Sequence, residues 1–70
     1  MKPLSAKKIE KILFRHGFYL VRQKGSHKIY QSKFPRLTVI VPFHGGNKPI
    51  PVGTFLRIVE QSNVPEEEFK

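Results

Sequence analysis

Seventy residues without a cysteine exclude a disulfide framework and a thiolate metal site. A chain this short is expected to form one domain, spanning 1–70, whose core buries a modest share of its surface. Thirteen Lys/Arg against five Asp/Glu give a net charge of +8, and that imbalance favours a polyanionic partner, with nucleic acid ahead of a membrane surface.

The charge is unevenly placed. Glu10 is the only acid before residue 60, whereas Glu60, Glu66, Glu67 and Glu68 crowd the last eleven residues. Charge of this kind also suits a binding protein with no chemistry, or a protein that docks an acidic partner. Three histidines and few carboxylates argue against a structural zinc site, and no cofactor is expected. The opening Met1-Lys2-Pro3-Leu4-Ser5 lacks the apolar run of a signal peptide, and no apolar stretch is long enough to span a bilayer. A cytoplasmic location without membrane attachment is expected.

In chain order, Ser5 is placed to cap a helix over 6–16. Ile9, Ile12, Leu13 and His16 fall on one stripe at helical spacing, and Lys7, Lys11 and Arg15 fall opposite it with Lys8 beside them. Gly17 suits the left-handed position that closes a helix. Phe14 projects near the lysine row, where it either covers a neighbouring element or offers a ring to a partner. Phe18-Tyr19-Leu20-Val21-Arg22-Gln23 reads as a strand. Lys24-Gly25-Ser26 reads as a turn, and His27-Lys28-Ile29-Tyr30-Gln31 returns as a second strand. A turn over 32–36 containing Pro35 leads to a third strand, Leu37-Thr38-Val39-Ile40-Val41, bounded by Pro42. Residues 43–51 form a long loop rich in Gly and Pro. A second helix follows from about Val52 to Ser62, burying Val52, Phe55, Val59 and Ser62 with Leu56 and Ile58 at the flanks. Val64-Pro65 and the glutamate run read as a short terminal helical turn.

This order is α+β: helix, three antiparallel strands, helix, with both helices on one face of a three-stranded sheet and the other face open. Which residues of the third strand face outward stays undecided between Thr38 with Ile40 and their alternates. The α-β-β-β-α order is that of a double-stranded-RNA-binding domain. Order alone does not establish function.

The residues that carry chemistry centre on Gly25-Ser26-His27, flanked by Lys24 and Lys28 in a stretch free of acids. RNA supplies its own nucleophile, the 2′-hydroxyl beside the scissile phosphate. Cleavage then needs a base for that hydroxyl, an acid for the departing 5′-oxygen, and cations for the developing charge. An imidazole titrates near neutral pH and serves either proton role. Lys24 and Lys28 are candidates for the charge-offsetting role, Gly25 for close backbone approach, and Ser26 for donation to a phosphate oxygen. Nothing in this scheme requires a metal, and the chain has no acidic cluster to hold two of them.

Each of these readings has a plainer rival. A histidine beside lysines at a turn is as often a phosphate binder as a catalyst. His44, in the glycine-rich loop, offers a second proton-transfer group or only a loop hydrogen bond; His16 is read as structural, near the helix C-terminus. The row Lys7, Lys8, Lys11 and Arg15 is read as an RNA-backbone contact, although basic outer faces are usually just solvated. Arg22, Lys33, Arg36, Lys48 and Arg57 are weaker candidates for the same role. Tyr19, Tyr30, Phe34 and Phe43 are candidates for stacking on bases, with some of them needed for the core.

Taken together, the chain resembles the HicA family of small mRNA interferase toxins from toxin–antitoxin pairs. The resemblance rests on His16-Gly17-Phe18 after a basic helix, Gln23-Lys24-Gly25-Ser26-His27, Val39-Ile40-Val41-Pro42-Phe43-His44, Gly53-Thr54-Phe55-Leu56-Arg57-Ile58 and Glu67-Glu68-Phe69. It implies a double-stranded-RNA-binding-domain-like fold, cleavage of mRNA, a catalytic role for His27, and a HicB-type antitoxin that masks the active surface. The expected activity is that of an endoribonuclease that inhibits translation and growth until its antitoxin binds. The alternative is a non-catalytic RNA-binding domain of the same fold.

Overall fold

Ser5 sets the start of the first helix. In the computed structural model, which describes residues 2–70, its side-chain oxygen accepts the Lys8 N–H at 3.3 Å and caps α1 (Ala6–Arg15). Ala6, Ile9, Ile12 and Leu13 form its buried stripe. His16 does not continue that stripe. It is the exposed C-cap residue, and its Nε2 lies 3.2 Å from a carboxylate oxygen of Glu68. Gly17, at φ +87°, closes the helix. The Phe18 N–H donates to the Leu13 carbonyl at 3.0 Å and the Gly17 N–H to the Phe14 carbonyl at 3.5 Å, a Schellman arrangement. Phe18 is thereby buried ahead of the first strand.

The strands are β1 (Tyr19–Lys24), β2 (His27–Lys33) and β3 (Arg36–Pro42), antiparallel and in the order β1-β2-β3. The first hairpin turn is Gly25-Ser26 alone, so Lys24 belongs to β1, directly across from His27. Gly25 takes φ +60°, a conformation that a glycine adopts without a Cβ penalty. A bulge between Leu20 and Arg22 interrupts the β1–β2 register. Alternation along β2 and β3 then divides the side chains. Tyr30, Ser32, Val39 and Val41 are buried toward the helices. His27, Ile29, Thr38, Ile40 and Pro42 occupy the other face, which settles the outward parity of β3 in favour of Thr38 and Ile40.

α2 (Val52–Ser62) ends at Asn63, whose φ of 60° makes it a left-handed cap. Its buried residues are Phe55, Ile58 and Ser62. Val52 is exposed and Val59 only partly covered, so the inward stripe is rotated toward Ile58 from the expected one. The reason is that apolar residues occupy 52, 55, 56, 58 and 59, and a helix apolar over so wide an arc does not announce which side meets the sheet. The terminal turn is a 3-10 helix, Glu66–Phe69, which places Phe69 in the core against Phe55 with ring centroids 6.0 Å apart.

One core joins Ile9 and Leu13 of α1, Tyr30 of β2, Val39 and Val41 of β3, Phe55 and Ile58 of α2, and Phe69. Both helices thus cover the same face of the sheet, and the α-β-β-β-α order gives the double-stranded-RNA-binding-domain-like fold. No helix among the described residues is long and apolar enough to cross a membrane.

Candidate active site

The loop between β3 and α2 determines what surrounds His27. The Phe43 N–H donates to the Ser26 carbonyl at 2.6 Å, tying the loop to the first hairpin turn. The Lys7 N–H donates to the Gly46 carbonyl and the Ile50 N–H to the Leu4 carbonyl, both at 3.1 Å, tying it also to the start of α1. The chain then enters α2 at Pro51, which provides no side-chain cap. The N-termini of both helices therefore lie at the end of the sheet that carries His27. Neither helix has an acid in its first turn, so the positive ends of both dipoles are uncompensated there.

Between β3 and α2 at this end lies a groove of about 450 Å³, bordered by His27, Ile40, Pro42 and His44 on one side and by Pro51, Thr54, Arg57, Ile58 and Gln61 on the other. His27 is the first residue of β2, exposed on the open sheet face. His44 lies two residues beyond the end of β3 and is exposed as well. Their ring centroids are 5.9 Å apart with the rings nearly perpendicular, at 83°. Arg57 contributes a permanent cation from α2. Lys24 contributes another from the β1 position across the ladder, on the same face as His27. No acid borders the groove.

Lys28 is turned away. As the residue next to His27 in a strand it points to the opposite face, where its Nζ lies 3.3 Å from Glu10 and 4.0 Å from the centroid of the Phe43 ring. The expectation that Lys24 and Lys28 flank the imidazole together is corrected to Lys24 alone. Gly25 and Ser26 form the turn that leads into His27, with Ser26 held by Phe43. The α1 row does not reach the groove as a unit. Lys7 packs beside Gly46, while Lys8, Lys11 and Arg15 border a separate hollow with Leu4, Ile12, Glu68 and Lys70.

The aromatic candidates divide as well. Tyr30 is fully buried, so it is core and offers no face to a base. Its hydroxyl donates to Glu10 at 2.5 Å. Burial pushes the Tyr30 phenol far above its ordinary value, and the hydrogen bond and charge of Glu10 push it the same way. Phe14 packs edge-on to Tyr30 at 5.9 Å, the edge-of-core role. Phe43 is partly buried against the core, whereas Tyr19 and Phe34 are exposed, Phe34 almost completely at 95 %.

Thr54 and Gln61 carried no signal of their own in the sequence. With Arg57 and Ile58 they fall at i, i+3, i+4 and i+7 from Thr54, one helical stripe. Three of the four, Thr54, Arg57 and Gln61, are polar in a largely apolar helix, and their shared side was the available clue.

Among known proteins, the family model described as HicA toxin of bacterial toxin–antitoxin matches residues 6–64. No curated protein matches the chain. The matched span holds the whole hairpin with His27, the loop with His44 and the α2 stripe with Arg57. A match over so much of the chain assigns it, and this protein belongs to the HicA family of toxins from bacterial toxin–antitoxin systems.

Proposed function

We propose that this toxin is a metal-independent endoribonuclease that binds and cleaves mRNA through the groove between β3 and α2, with His27 in acid–base catalysis. The observation that carries the reading is His27 itself: an exposed imidazole at the rim of a groove bordered by Arg57 and by no acid, with Lys24 across the ladder from it. A phosphodiester is drawn to that field. The 2′-hydroxyl of the RNA is the nucleophile, His27 moves a proton, and Lys24 and Arg57 offset the charge that develops on the phosphorane. The uncompensated helix N-termini add to the same field.

The acids of the chain are unsuited to holding catalytic metals at this groove. Glu10, the only one before residue 60, is engaged by Tyr30 and Lys28 on the helix side of the sheet. The remaining acids lie at Glu60 and beyond and do not border the groove. RNA-backbone contacts from Lys7, Lys8, Lys11, Arg15, Gly25 and Ser26 extend the binding surface around it, and Lys28 supports the site from behind by fixing Phe43, whose N–H in turn holds the turn carbonyl of Ser26. A HicB-type antitoxin in the cytoplasm inhibits the toxin by covering the groove, and a surface rich in carboxylates suits the uncovered cations.

The test is incubation of purified protein with a mixed-sequence mRNA in excess chelator. Cleavage is expected, and its suppression by a stoichiometric HicB-type protein is expected with it. Binding without cleavage, whether or not divalent metal is added, would leave the non-catalytic RNA-binding reading in its place.

A further inference from the structure

We infer that His44 is the second proton-transfer group of this site, paired with His27 across one phosphodiester, and that Arg57 is the cation that borders them from α2. The inference rests on the ribonuclease reading above. It answers a requirement that one imidazole leaves unmet. In an in-line displacement the attacking 2′-oxygen and the leaving 5′-oxygen stand on opposite sides of phosphorus, so a single ring must either move a proton around the phosphate or leave one oxygen unassisted.

The residues bordering the groove admit one answer. Arg57 is permanently protonated and gives up no proton at neutral pH. Thr54 and Gln61 do not titrate in the useful range, and Ile40, Pro42, Pro51 and Ile58 carry no side-chain polar atom. His44 remains. Its ring stands 5.9 Å from that of His27, centroid to centroid, and nearly perpendicular to it. Proton transfer needs each ring nitrogen within about 3 Å of its oxygen, and two rings at this separation reach different oxygens of the same phosphate. They come from different supports: His27 from the start of β2, His44 from the loop that the Phe43–Ser26 and Lys7–Gly46 hydrogen bonds hold against the sheet and α1. Arg57 of α2 is the one Lys or Arg that borders the groove with the pair, and Lys24 of β1 stands across the ladder from His27 on the same sheet face.

The step balances without a co-reactant. The 2′-oxygen forms its bond to phosphorus as the bond from phosphorus to the 5′-oxygen breaks. The proton of the 2′-hydroxyl passes to the neutral imidazole, and the 5′-oxygen takes a proton from the protonated one. The products are a 2′,3′-cyclic phosphate and a 5′-hydroxyl. The rings finish with their protonation states exchanged and are reset by water.

The experiment compares wild type, His27→Ala and His44→Ala in single-turnover cleavage of an RNA and of a ribonucleoside 3′-(4-nitrophenyl phosphate), whose leaving group departs without a proton. Binding of a 2′-deoxy analogue of the RNA checks that each variant still folds and docks its substrate. Each variant is expected to cleave RNA about 10²-fold more slowly or worse, with binding of the analogue unchanged. The aryl ester restores one of the two variants and not the other, and the restored variant identifies the acid. The wild-type rate on RNA follows a bell-shaped pH profile, and each variant loses one limb. Cleavage by His44→Ala at the wild-type rate, a loss confined to binding, or an aryl ester that restores both variants or neither overturns the pair. Absence of RNA cleavage by the wild-type protein removes the ribonuclease reading and the pair together, whereas cleavage that survives His44→Ala removes the pair alone.

Discussion

Lys28 and His27 are neighbours in the chain and face away from each other in the protein. The strand period of two separates them, and the sequence grouped them only because the basic stretch reads as a turn with an imidazole in it. What Lys28 does is structural. It joins Tyr30 in satisfying Glu10, the acid of α1 that faces β2. A hydrogen bond from a buried hydroxyl to a carboxylate is worth about 1.5–3 kcal/mol, so Tyr30→Phe should lower the free energy of unfolding by an amount of that order, read as a lower urea midpoint at constant m-value. Tyr30 also predicts a pH dependence. Its phenol is pushed up by burial first and by Glu10 second, so its stabilising effect is complete below the ionisation of a free tyrosine at about pH 10. Above that pH the unfolded chain ionises while the folded one resists, and stability falls as pH rises. Melting temperatures followed through the alkaline range should decline more steeply for wild type than for Tyr30→Phe. Parallel curves would show that Tyr30 ionises as readily in the folded protein as in the unfolded chain.

At the level of elements, the boundaries of α1, the three strands and α2 were legible within one or two residues, because the end signals are chemical. Ser5 caps, Gly17 and Asn63 take positive φ, Gly25 turns and Pro42 ends the pattern of β3. Gly17 illustrates the strength of such a signal. At φ +87°, a Cβ added there would meet no atom within 4 Å. The cost of Gly17→Ala is therefore conformational rather than steric, on the order of 1 kcal/mol. Chemical denaturation should show that loss with unchanged RNA cleavage, since Gly17 lies at the end of α1 away from the loop that flanks the groove. Facing was the part that stayed illegible. Leu37-Thr38-Val39-Ile40-Val41 is β-branched or apolar at every position, so alternation does not mark an inner face. The same ambiguity rotated α2, misplacing Val52 and hiding Ile58. The burial of Phe69 went unread because the glutamate run before it signals solvent, yet a single 3-10 turn brings its ring into the core.

For the molecule as a whole, the arrangement of the candidate site was half legible. His27 and Lys24 were readable from a short stretch, whereas the juxtaposition of His27 with His44 and Arg57 depends on β3 lying between β2 and α2, a long-range fact that no local pattern contains. The positive field is a property of the entire chain, and under the proposed function it should make RNA binding salt-sensitive. The affinity for a single-stranded RNA should fall with a log–log slope of about −0.7 per phosphate neutralised. Charge reversal at Lys24 and Arg57 should reduce that slope, and an affinity indifferent to salt would contradict the role assigned to the cations. The central claim, that His27 moves a proton in RNA cleavage, is tested most directly by single-turnover cleavage in excess chelator with wild type and His27→Ala at saturating protein. The account predicts cleavage by wild type and a loss of about 10²–10⁴-fold in the variant, at unchanged melting temperature and RNA affinity. Equal cleavage rates in the two proteins would contradict it.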